Sequence, residues 1–176
     1  MFSAAIQKEQ KCVLYFCVMI QRRHFTKEQA LQKLRHYCGY QDRSHAEVKT
    51  KLYELGVRKA DHDELMATLI EENYLNEERF ALAFAGGKFR MKQWGRVKIR
   101  YELKQKQVSD YNIKIALKQI DEEQYLKTLQ ELAKEKYEQL KNEQWMVRKK
   151  KTMDYLLQKG YEPQLIHQAI QLVTEN

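Results

Sequence analysis

Apolar residues recur along the chain at three- and four-residue spacings, and polar breaks divide them into successive amphipathic helices. Thr26, Lys27, Glu28 and Gln29 form a capping box ahead of Ala30, Leu31 and Leu34, predicting a first helix to about Tyr37 that Gly39 ends. Ser44, His45, Ala46 and Glu47 form a second box, with Val48, Leu52 and Leu55 behind it and a stop at Gly56. Asp61 to Glu64 begin a third helix carrying Leu65, Leu69 and Ile70. Asn76 opens a fourth, where Phe80, Ala81, Phe84 and Ala85 make one apolar face.

A fifth helix follows Trp94 and Gly95, and Ser109 with Asp110 caps a sixth bearing Ile113, Ala116, Leu117 and Ile120. The seventh begins at Asp121 and Glu122 and carries Leu126, Leu129, Ala133, Tyr137 and Leu140. An eighth covers roughly 145–158, and Pro163 opens the last, with Leu165, Ile166, Ala169, Ile170 and Val173. One stretch conflicts: Val97, Ile99, Tyr101 and Leu103 alternate with charges as in a strand. A helix is expected there, because a lone strand among helices has no partner and Ile99 and Leu103 fall on one helical face.

The pattern repeats. Val48, Leu52 and Val57 lie 51 residues before Ile99, Leu103 and Val108, and Thr152, Leu156 and Tyr161 follow 53 residues later. The prediction is an all-α elongated array of three tandem three-helix repeats, at 26–73, 74–120 and 121–176, after an N-terminal tail at 1–25. Gly86 and Gly87 fall inside the fourth helix, each costing about 1 kcal/mol relative to alanine, so a kink or a close helix contact is expected there.

Composition supports the all-α reading, with 6 glycines and 1 proline among 176 residues. Three cysteines, Cys12, Cys17 and Cys38, are an odd set without a disulfide framework, as expected of a reducing cytoplasm. The apolar run 12–20 has nine residues, too short for a bilayer span of about 20. It is expected to pack on the first helices, and Met19 is an alternative start.

Charge changes the picture more. The net charge is +8, and residues 88–108 alone hold eight bases against one acid, Glu102. Basic residues concentrate on the first two helices of each repeat and acids on the connecting third. Arg96, Arg100 and Lys104 make a stripe at i, i+4 and i+8, flanked by Arg90, Lys92 and Lys98, with Lys149, Lys150 and Lys151 in the third repeat. A recurring basic face can neutralise DNA phosphates or dock an acidic protein, and composition does not separate the two.

The histidines and cysteines match no usual zinc spacing, and no nucleophile elbow, metalloprotease helix or phosphate-cradling glycine loop occurs. No catalytic residue, metal or cofactor is therefore expected. Phe80, Phe84 and Phe89 read as core, and packing between helices accounts for Trp94 and Trp145.

Tyr74-Leu75-Asn76-Glu77-Glu78-Arg79-Phe80-Ala81, then Gly95-Arg96-Val97-Lys98-Ile99-Arg100-Tyr101-Glu102-Leu103 and Val108, resembles the RecX family of bacterial RecA regulators. Arg43, Ser44, Glu47, Val48, Leu52, Gly56 and Val57 look like the family's opening repeat. Asn76 and Glu77 replace the family's paired aspartates, Gln107 stands where glycine is common, and the first 20 or so residues have no counterpart. The resemblance implies a monomer that lies in the groove of the RecA filament on single-stranded DNA. There it would limit filament growth, ATP hydrolysis, strand exchange and co-protease activity, as in DNA repair and the SOS response. A basic helical protein acting directly on DNA is the alternative, and an adaptor for acidic proteins is a third reading.

Overall fold

The computed structural model describes residues 25–174, so the apolar run 12–20, Met19, Cys12 and Cys17 lie outside it. Nine α-helices form among the described residues. They are α1 (Lys27–Tyr40), α2 (His45–Glu54), α3 (His62–Glu71), α4 (Glu77–Lys92), α5 (Arg96–Gln105), α6 (Asp110–Lys118), α7 (Glu122–Gln139), α8 (Trp145–Lys159) and α9 (Pro163–Thr174), with a 3-10 turn at Lys59–Asp61. Residues 97–103 are helical, as the buried spacing of Ile99 and Leu103 requires.

Sequence chemistry accounts for the boundaries. Thr26 and Ser44 both complete reciprocal capping boxes, with Gln29 and Glu47. Asn76, Ser109 and Asp121 accept from backbone N–H groups of Arg79, Asn112 and Gln124. The first helix runs through Gly39 and stops at Gln41, where the backbone becomes extended. α4 runs unbroken through Gly86 and Gly87. The atoms nearest a Cβ on Gly86 would be those of the Arg90 guanidinium of its own helix, and a Cβ on Gly87 would meet nothing within 4 Å.

The repeat is one backbone device used three times. The amides of Val57, Val108 and Tyr161 donate to the carbonyls of Leu52, Leu103 and Leu156 at 3.2, 3.1 and 3.2 Å, closing the turn after the second helix of each triplet. The three leucines are fully buried, each contributing about 2 kcal/mol. Gly56 and Gly160 take positive φ at this turn, and Gln107 does so with a side chain, at φ 59°. Thr152 tolerates burial at the position of Val48 and Ile99 because its hydroxyl donates to the Arg148 carbonyl at 2.9 Å.

The three triplets join unequally. α1–α3 enclose their own core around Leu34, Leu52 and Leu69. α4–α6 and α7–α9 share one continuous core, crossed by the rings of Phe89, Tyr125 and Tyr161 at centroid separations of 5.7 and 5.0 Å.

Candidate partner-binding surface

The basic helix α5 starts without a side-chain cap and without an acid in its first turn. Its free N–H groups are satisfied by the following triplet instead. Gly95 donates to the Lys159 carbonyl at 2.9 Å, Val97 to the Gly160 carbonyl at 3.0 Å, and Arg96 to the Tyr125 hydroxyl at 3.0 Å. The Tyr125 hydroxyl in turn donates to the Glu162 carboxylate at 2.6 Å, and burial, followed by this bond, pushes its pKa well above the ordinary tyrosine range. Backbone approach is possible only because both turns carry glycine. A Cβ on Gly95 would lie 2.1 Å from the Gly160 carbonyl oxygen.

Arg96 therefore faces the joint. Its guanidinium pairs with Glu122 at 2.5 Å and lies 4.2 Å from the centre of the Tyr125 ring. Burial works against its charge, yet the bond to Glu122 holds its pKa above the usual arginine range. Lys98 joins it there, donating to the Gln158 carbonyl at 3.2 Å with its ammonium over Trp94. Lys92 gives its carbonyl to the Lys159 ammonium.

Of the rest of the basic set, Arg100 lines one hollow together with Arg96. Arg100 and Lys150 are exposed and form no ion pair among the described residues. Lys104 pairs with Asp110 at 3.2 Å, Lys151 pairs with Glu143, and Lys149 sits over the Trp145 ring. Arg90 lies at the edge of a hollow with Asp121 and Gln124. Trp145 is more than half exposed, so helix packing does not account for it, whereas Trp94 packs partly against the core.

A quasi-equivalent but looser joint connects α1–α3 to α4–α6. Glu77, at the first position of α4, approaches the His45 ring at 4.0 Å, just as Glu122 at the start of α7 meets Arg96. Glu47 pairs with Lys106 at 2.7 Å, and Arg79 with Asp42 at 2.7 Å. Burial raises the Glu47 and Glu77 carboxyls, but bonds from Lys106 and Ser44 to Glu47, and from Ser109 and Asn112 to Glu77, outweigh it. Both carboxyls sit below the usual range. Among the described residues no backbone hydrogen bond links these two triplets.

The structure also displays cations absent from the sequence-derived set. Lys114 and Lys118 stand exposed on α6 beside Tyr111, and Lys88 and Lys106 line the cleft between the first two triplets together with Lys92, Phe84 and Trp94. The signal for the α6 pair was a polar face at positions 111, 114 and 118. It is hidden when α6 is averaged with the acidic α7. Among the described residues no helix is long and apolar enough to cross a membrane.

The chain is similar in sequence and fold to known proteins. A family model described as RecX, second three-helix domain, matches residues 76–117, and one described as RecX, third three-helix domain, matches 122–170. The regulatory protein RecX of Prosthecochloris aestuarii is 30% identical over 147 residues, covering 84% of this chain and 95% of that protein. That of Lactobacillus johnsonii is 35% identical over 97 residues, covering 55% and 36%, and that of Clostridium perfringens (strain 13 / Type A) is 33% identical over 132 residues, covering 74% and 61%. The matched region thus spans less than two thirds of the length of these last two relatives. The crystal structure of RecX from Lactobacillus salivarius superimposes with a TM-score of 0.77 at 21% identity over 85% of this chain and 97% of that one, a likeness of fold.

Proposed function

The chain belongs to the RecX family, and from that premise we propose that it is a cytoplasmic, non-enzymatic regulator that binds the RecA filament on single-stranded DNA. In this reading it acts as a monomer in the filament groove and limits filament growth, ATP hydrolysis, strand exchange and co-protease activity. The observation that carries it is the serial arrangement: tandem triplets joined through Gly95 and Gly160, with exposed cations on successive units. A serial array of this kind can span neighbouring protomers of a helical polymer, and its charges steer the encounter and set the register.

Arg90, Lys92, Arg100, Lys104, Lys149 and Lys150 are proposed as the contact residues. Arg96 and Lys98 would act mainly by holding the joint, since both bond across it, whereas Lys151, like Lys104, pairs with an exposed carboxylate and stays available for contact. The test replaces Arg100, Lys104, Lys149 and Lys150 by alanine and measures inhibition of RecA-driven strand exchange. The folded variant should inhibit at least tenfold less per mole; inhibition equal to the parent would refute the assignment.

Direct binding to bare DNA is the second reading, favoured by Arg100 and Lys150, which are exposed and form no ion pair among the described residues, and by the +8 net charge. It predicts inhibition that tracks DNA occupancy and falls steeply with salt.

A further inference from the structure

The outer side of the middle triplet carries a hollow of about 760 Å³ between α5 and α6. Its floor is apolar, formed by half-buried Ile115 with Leu117 and Ile120 beneath, and Tyr111 rises from its edge, 71% exposed. Three cations rim it: Arg100 from α5, and Lys114 and Lys118 from α6. None of the three forms an ion pair among the described residues. Two carboxylates also line the hollow, and with one of them paired to arginine and the other still charged the rim keeps a net positive charge of two. Glu122 is neutralised by Arg96, and Asp121 accepts from the Gln124 amide at 2.8 Å as the cap of α7. The Arg96 charge at the same wall is likewise committed to Glu122.

We propose that this hollow docks an acidic protein segment bearing an apolar anchor, the carboxylates meeting Arg100, Lys114 and Lys118 and the anchor resting on Ile115. The proposal rests on the RecA reading and names the chemistry of the partner surface within it. An apolar floor with a tyrosine and a cationic rim has the anatomy of a protein interface. A single-stranded nucleic acid would call for successive aromatic platforms along a basic track, and this hollow offers one tyrosine against an aliphatic floor. The uncompensated rim charge selects an acidic occupant over a basic or neutral one.

Two measurements on the full chain test it, with the RecA filament on single-stranded DNA as the probe. The first compares Lys114→Glu/Lys118→Glu with Lys114→Arg/Lys118→Arg in a filament-binding titration. Both side chains are exposed, and far-UV circular dichroism checks that each variant is folded. The expected result is about a hundredfold weaker binding for the reversal and unchanged binding for the arginine pair. The second places a photo-crosslinking residue at Tyr111 in the otherwise unaltered chain, and the crosslinked peptide should be rich in Asp and Glu. Undiminished binding by the reversal variant, or crosslinks to DNA or to a neutral or basic peptide, would overturn the docking proposal alone. A parent chain that does not bind the filament at all would overturn the RecA reading and this proposal with it.

Discussion

Gly95 and Gly160 meet backbone to backbone across the joint between the second and third triplets. The Gly95 amide reaches the carbonyl just before Gly160, and the Gly160 carbonyl receives the Val97 amide. Gly95→Ala would drive a methyl to 2.1 Å from the Gly160 oxygen, with no flexible atom to yield. The expected cost is about 3 kcal/mol, with the two triplets forced apart. Gly160→Ala adds strain at φ 88° and a clash with Lys98. Gly87→Ala is the opposite case, a helix-interior glycine with open space around it, and should stabilise by about 0.5–1 kcal/mol. Urea titrations of the three variants check the order.

The same joint depends on one hydroxyl. Tyr125→Phe leaves the Arg96 amide without its acceptor and removes a donor from Glu162, while the ring stack with Phe89 and Tyr161 is kept. A loss of about 1–3 kcal/mol is expected in urea unfolding. A loss below 0.5 kcal/mol would mean that the hydroxyl's two bonds contribute little.

Arg96 and Arg100, one turn apart on α5, should separate into joint and surface. Arg96→Ala removes the pair with Glu122 and the packing on Tyr125, and should cost about 1–2 kcal/mol of stability. Arg100→Ala should change stability by less than about 0.5 kcal/mol and weaken RecA inhibition. Thermal melts alongside strand-exchange assays decide it; equal stability losses would undo the distinction.

Acid should loosen the first triplet before the other two. Glu47 and Glu77 have folded-state pKa values below the ordinary 4.5, so their contribution is complete above that pH and is lost as pH falls through the lowered values. Both carboxylates therefore hold the joint with α1–α3 when ionised. In a Trp94→Phe variant, which removes the indole that lines the cleft beside that triplet, the fluorescence of Trp145 reports the third triplet while circular dichroism reports all of the described helices. The circular dichroism midpoint in urea should fall below the fluorescence midpoint near pH 3.5 and lie closer to it at pH 7. Parallel shifts would count against the loose joint.

Much of this architecture was legible in the residues. The capping boxes at Thr26 and Ser44 located helix starts because a side chain and an amide three positions on satisfy one another locally. The apolar triads ending at Val57, Val108 and Tyr161 revealed the repeat because one turn closure recurs with the same spacing. What escaped was set by contacts between distant segments. Arg96 looked like a surface cation because its partners, Glu122 and Tyr125, lie more than 25 residues away. Trp145 looked like Trp94, but α8 is five residues longer than α5, and its first turn projects the ring into solvent. Glycine spacing alone did not distinguish the obligatory Gly95 from the replaceable Gly87.

The central claim is that this chain restrains RecA on single-stranded DNA, and a titration into a RecA–ssDNA ATPase assay tests it most directly. ATP hydrolysis should fall at protein concentrations well below those that saturate bare DNA, with little dependence on the excess of free DNA. Hydrolysis that declines only in step with bare-DNA occupancy, and recovers steeply with added salt, would contradict it.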